Sequence, residues 1–198
     1  MLELREAHAA ELPAAARLLA RGMRDDPMYR AVFGPDAGRR LDRLGRFFAA
    51  LLPLMGRPPL VACEAGRLVG VLGRFPPGTC RTPLRRQVRI ALPLLTFNVG
   101  ELWRLWRWVG ASEAHDLPEP HWHLGPVAVD AGLQGRGIGG QLLRGLCARM
   151  DQEGAVAFLE TDKLAGVRFY ARCGFKVTAT GQVLGTANWW MRRPPWAR

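Results

Sequence analysis

Between His121 and Arg144 the chain reads HWHLGPVAVDAGLQGRGIGGQLLR. An extended apolar run leads through a short loop into a helix whose start is crowded by Gly135, Gly137, Gly139 and Gly140. The first N–H groups of a helix have no partner inside it, and the aligned peptide dipoles put partial positive charge there. Glycines remove the side chains that would keep a ligand away from that backbone. The product is an anion cradle, most often for phosphate, and a chain carrying it must set a strand directly before a helix.

The remaining residues supply alternating elements around this unit. Leu2 to Glu6 alternates apolar and polar positions as a strand does, and Ala9 to Gly22 places Leu12, Ala16, Leu19 and Met23 on one helical face. Asp25, Asp26 and Pro27 break that pattern, and a second helix is expected from about Gly38 to Leu52. LVACE and LVGVLGRF flank Ala65-Gly66-Arg67, which is a hairpin signature. After the glycines a helix runs to Met150 or Gln152 and stops at Gly154. Ala155 to Glu160 then reads as a strand buried on both faces. Lys163 to Arg172 forms a short helix, and Phe175 to Val183 and Ala187 to Arg193 form a closing strand pair. No repeat and no linker divides the chain, so residues 1–198 are expected to form a single domain.

Thr82 to Leu117 is less conventional. It opens with Arg85, Arg86 and Arg89 and ends in LWRLWRWV, where Trp103 and Trp106 fall on a different helical face from Arg104 and Arg107. Three readings compete: tryptophans packed on the core with arginines in water, a membrane-surface helix over Leu102 to Val109, or a wall of a substrate pocket. The apolar run Ile90 to Gly100 is too short to span a bilayer, and no signal peptide is seen. A cytoplasmic location is therefore expected. Cys63, Cys80, Cys147 and Cys173 lie far apart and fit reduced thiols better than a disulfide frame. The formal charge of +11 comes from arginines scattered along the chain, with Lys163 and Lys176 the only lysines. No single basic run marks a nucleic-acid surface, and none is expected.

The glycines fit two patterns. Gly135, Gly137 and Gly140 satisfy G-x-G-x-x-G, and Glu160 stands about twenty residues on, where a dinucleotide fold places its ribose-binding acid. An NAD(P)- or FAD-dependent oxidoreductase would follow from that reading. Against it, Asp130 to Gln134 intervene between strand and first glycine, and antiparallel hairpins precede them. Gln134 to Gly139 instead satisfies Gln/Arg-x-x-Gly-x-Gly/Ala, and it is followed by FLET at 158–161 and RFYARCGF from Arg168. With these two motifs at this separation the chain resembles the GNAT superfamily of N-acetyltransferases. Within that superfamily it is most similar to puromycin N-acetyltransferase-like bacterial small-molecule enzymes.

The resemblance implies a mixed α/β fold of three layers, with a mostly antiparallel, twisted sheet of about seven strands splayed at its middle pair and helices on both faces. It implies acetyl-CoA as cosubstrate, no metal, and a small-molecule amine as acceptor attacked directly in a ternary complex. A protein or peptide acceptor and a non-catalytic CoA-binding or nucleic-acid-binding module are the alternatives. In this resemblance Gln134 opens the cradle, and the backbone of Gly135, Arg136, Gly137, Ile138, Gly139 and Gly140 faces the CoA pyrophosphate. The backbone of Val127, Ala128 and Val129 receives the pantetheine arm, and Tyr170 is the general acid. For the base, Glu160 at the end of a buried strand, where desolvation raises a carboxyl pKa, and His123 rank ahead of His121. A metal reading of the two histidines needs a third ligand that the sequence does not supply. A monomer or a homodimer is expected.

Overall fold

The computed structural model describes residues 1–79 and 96–196. The arginine-rich opening around Arg85, Arg86 and Arg89, and Cys80, lie outside the described residues. The strands are β1 (Leu2–Glu6), β2 (Leu60–Glu64), β3 (Arg67–Phe75), β4 (His121–Val129), β5 (Val156–Thr161), β6 (Lys176–Val183) and β7 (Thr186–Arg193). They form one sheet in the order β1-β2-β3-β4-β5-β7-β6. Every neighbouring pair is antiparallel except β4 and β5. The helices are α1 (Leu12–Met23), α2 (Pro27–Phe33), α3 (Ala37–Leu51), α4 (Val99–Ala114), α5 (Ile138–Gln152) and α6 (Leu164–Ala171).

Alternation along the strands makes the layers. On β5, Phe158 joins the core that α1, α2, α3 and α4 complete, whereas Ala157 and Leu159 point to the opposite core beneath α5 and α6. Trp190 and Met191 on β7 divide in the same way. Burial on both faces is why this strand reads as an unbroken apolar run. Helix ends follow their local chemistry. Asp36 Oδ1 accepts the Arg39 N–H at 2.7 Å to start α3, and Asn98 and Glu101 form a reciprocal capping box at α4.

Helix α2 is absent from the sequence reading, which treats Asp25-Asp26-Pro27 as a simple break. Pro27 is in fact the first residue of a helix, where a missing N–H costs nothing. Its cap comes from far along the chain: Asp162 Oδ2 accepts the Met28 N–H at 2.6 Å. Seven residues with a remote cap leave too little local periodicity to read.

The sheet opens in its middle. β4 pairs with β5 only through His121, Trp122 and His123, opposite Val156, Ala157 and Phe158. On its other side β4 stays paired with β3 as far as Val129, but the register slips between Leu72 and Arg74, which face Val127 and Leu124. One extra residue is thus accommodated on β4 around Gly125 and Pro126, and a bulge of this kind bends and re-aims its strand. Gly73 permits it. A Cβ there would stand 2.6 Å from the Gly125 carbonyl oxygen and 2.8 Å from Pro126 Cδ. Gly73→Ala is expected to destabilise the fold by about 1–3 kcal/mol through overpacking, read as a lower midpoint in urea denaturation; an unchanged midpoint would show that the bulge yields freely.

Candidate active site

Two cavities lie along the opened edge of β4. The first, of about 430 Å³, is lined by Val127, Val129, Gln134, Gly135, Gly137 to Gly140, Arg144, Phe169, Arg172 and Cys173. Gly135 and Gly137 both take φ of 79°, the left-handed region that side chains resist, and Gly137 is the N-cap of α5. The turn they make brings the start of α5 to the cavity wall. Gln141 is the first residue whose N–H returns to the Gly137 carbonyl, at 3.0 Å, so the N–H groups ahead of it are left for an anion. The Ile138 side chain is buried in the core under α5 and pins the helix start.

Other members of the motif do different work. The Gln134 Nε2 donates to the Val129 carbonyl at 3.3 Å, tying the loop back to β4. Arg136 is half-exposed and paired with Glu64 at 3.3 Å rather than set in the cavity wall. The basic groups that line the cavity are Arg144 and Arg172, which the sequence reading passes over. Arg144 stands one helical turn beyond Gly140, on the same face by spacing alone. That i, i+4 spacing is the signal the sequence carries for it, on a helix whose leucines dominate the pattern.

The second cavity, of about 400 Å³, meets the first at Val127 and Phe169, which line both. Tyr170, His123 and Glu160 are all in its wall, brought together from α6, β4 and β5. His123 Nε2 lies 2.9 Å from Glu160 Oε2, and the Ser112 hydroxyl donates to Glu160 Oε1 at 3.1 Å. Burial pushes the Glu160 carboxyl up, but His123 and the Ser112 hydrogen bond outweigh it, and the net position is below the usual value. The sequence expectation that burial raises this group is therefore corrected: the strand end is buried but not apolar. Burial, reinforced by the charges of Asp26, Glu160 and Asp162, pushes the Tyr170 phenol well up, so it is neutral at ordinary pH.

His121 is set apart from this group. Its Nδ1 faces the Glu119 carbonyl at 2.8 Å and its Nε2 lies 2.8 Å from Asp116 Oδ1. Asp116, His121 and His123 place one donor atom each within 4.8 Å of one another. A third donor is therefore present in Asp116, only five residues before His121, which corrects the sequence expectation; in this fold Asp116 faces the His121 ring.

The rest of the second cavity comes from elements far apart in the chain. Tyr29, Phe47, Phe75 and Trp108 form apolar and aromatic wall, with Asp26, Asp162 and Lys163 at its polar side. Lys163 Nζ contacts Asp26 Oδ1 at 2.6 Å, yet burial still lifts the Asp26 carboxyl above its usual range. The charge here is acidic on balance, opposite in sign to the chain as a whole. Of the tryptophans in 82–117, Trp108 faces inward to this wall, whereas Trp103 and Trp106 are exposed. The expectation that Trp103 and Trp106 pack on the core is corrected, and of the three it is Trp108 that stands in the wall of this cavity.

A splayed β4–β5 pair with an N–H cradle at the following helix is the architecture of a CoA-dependent acyltransferase. Residues 29–175 match the Acetyltransferase (GNAT) family, and the chain belongs to it. It is an acetyl-CoA-dependent N-acetyltransferase. Solved structures share the fold at low identity. The "histone acetyltransferase HPA2 and related acetyltransferase" of Corynebacterium glutamicum is 21% identical with a TM-score of 0.73, covering 100% of this chain and 98% of its own. The Drosophila melanogaster polyamine N-acetyltransferase that forms N-acetylagmatine is 15% identical with a TM-score of 0.61, covering 98% of this chain and 100% of its own. A putative acetyltransferase from Salmonella typhimurium, solved with its cofactor acetyl-CoA, is 18% identical with a TM-score of 0.57 and covers 100% of this chain and 95% of its own.

Proposed function

We propose that the protein acetylates the primary amine of a small molecule with a compact apolar or aromatic body, bound as a cation in the second cavity. The carrying observation is that cavity itself: its volume of about 400 Å³ suits a small ligand, its walls are aromatic, and its titratable groups are acidic on balance. The basic composition of the chain, which alone would favour acidic or neutral acceptors, is overruled by the local charges.

Acetyl-CoA, when bound, supplies the acetyl thioester. The N–H groups at the start of α5, with Arg144 and Arg172, hold its phosphates; the cavity they line has the donors and the room that a pyrophosphate needs. Beyond His123 no strand among the described residues pairs with the β5 side of β4, and the backbone of Val127, Ala128 and Val129 there is offered to the pantetheine arm as to a partner strand, with the Val129 carbonyl already accepting from Gln134. A β4 backbone N–H polarises the thioester carbonyl. His123 takes the proton of the incoming amine, and ionised Glu160, held by Ser112, stabilises the charge that forms on the ring. Tyr170, in the wall of the same cavity, is a neutral phenol and gives its proton to the departing sulfur.

The division of labour between His123 and the solvent is open to a direct test. His123→Gln is expected to lower kcat/KM for the amine by about 10²-fold at neutral pH. The deficit should shrink as the pH approaches the acceptor's own pKa, near 10 for an alkylamine, because a free amine has no proton to lose before it attacks; the second N–H proton, lost from the adduct, balances the one given to the sulfur. A deficit that stays constant across the pH range would assign His123 to shaping the pocket.

A further inference from the structure

We propose that the outer face of α4 docks the protein onto anionic lipid membranes. Helix α4 is apolar on two sides. Leu105 and Trp108 turn inward, while Val99, Leu102, Trp103, Trp106 and Val109 fall on one outward arc at helical spacing. Val99, Trp103 and Trp106 are 83%, 52% and 69% exposed. Large apolar side chains grouped on one stripe are unlike the scattered exposed residues normal on a monomer.

The charge around the stripe selects the partner. Glu101 is the sole acidic residue between positions 99 and 110, and it is buried between Arg39 and Arg43 on the inner side, at 2.9 and 3.3 Å. The acidic group on the outward arc is Glu113, exposed in the last turn of α4, so negative charge is confined to the C-terminal end of the stripe. At its rim Arg107 is exposed and lies over the Trp103 ring, 5.3 Å from its centroid. Tryptophan rings settle at the headgroup level of a bilayer, and a helix with aromatic and aliphatic side chains flanked by arginine lies in that interface. No helix among the described residues is long and apolar enough to cross a membrane, so the contact is one of surface only. A second copy of the chain is the poorer occupant, because two molecules of formal charge +11 repel, whereas acidic headgroups attract both the arginine rim and the chain as a whole.

The test uses the full chain with vesicles of phosphatidylcholine alone and of phosphatidylcholine containing phosphatidylglycerol. Co-sedimentation and a blue shift of tryptophan emission are expected with the acidic vesicles only. The double variant Trp103→Ser, Trp106→Ser should lose at least about tenfold in partitioning while keeping acetyl transfer in solution, which verifies that it is folded. Three results would overturn the proposal: no partitioning onto acidic vesicles, partitioning unaltered by the double variant, which would reduce it to diffuse charge, or a dimer in analytical ultracentrifugation that the double variant dissociates.

Discussion

Tyr170→Phe is expected to reduce kcat by about 10²–10⁴-fold while acetyl-CoA affinity stays within about threefold of wild type. The ring remains, so its contacts with Phe169 and Phe175, at 5.0 and 6.0 Å, are kept and the helix end should not rearrange. What is lost is one hydroxyl in the wall of the acceptor cavity, beside the point where the two cavities meet. Burial and three nearby carboxyl groups hold that phenol neutral, so its proton is present, while the same shift makes it a weaker acid than a free tyrosine and leaves the transfer to be driven by the thiolate formed beside it. Single-turnover kinetics together with calorimetric titration of acetyl-CoA separates turnover from binding. If turnover is unchanged, Tyr170 takes no part in the reaction and water protonates the leaving sulfur.

Gly137→Val should produce the opposite division. At φ 79° and ψ 4° a β-branched residue is strained by more than the roughly 1–2 kcal/mol that an ordinary side chain pays there. The strain is relieved by turning the peptide that aims the first N–H groups of α5. The Kd for acetyl-CoA is expected to rise by tenfold or more, since about 1.4 kcal/mol corresponds to tenfold, whereas kcat at saturating acetyl-CoA should fall little. No atom of the second cavity is touched, as Gly137 lines only the first. Calorimetry beside steady-state kinetics reads both quantities. A variant with normal acetyl-CoA affinity would remove the cradle from the binding site.

The parts legible in the sequence were those encoded by neighbouring residues. The glycine turn, the strand before it and the hairpin around Ala65-Gly66 all act over a few residues, and all stand where expected. Tyr170, His123 and Glu160 could be singled out one by one from motif and strand position. Their meeting in one cavity depends on the splay of β4 from β5, which arises from the bulge opposite Gly73. The sign of the Glu160 shift was missed because its strand looks apolar, while Ser112 and His123 reach it from other elements. The acidic balance of the acceptor cavity was hidden for the same reason. Asp26 and Asp162 are distant in the chain and are joined only when α2 takes its cap from the residue after β5. Trp103, Trp106 and Trp108 look alike in the string LWRLWRWV, and only the phase of α4 separates two exposed rings from one that lines a pocket.

The central claim is that the second cavity takes a small cationic amine. It is tested most directly by following CoA thiol release with acetyl-CoA across a matched panel of acceptors: aromatic and aliphatic primary amines, acidic amino compounds, and peptides with a free N-terminus or lysine. Primary amines with an apolar body are expected to be acetylated with the highest kcat/KM, and Phe47→Asp or Trp108→Asp to abolish this preference. Peptides as the best acceptors, or acidic amino compounds ahead of apolar amines, would contradict it.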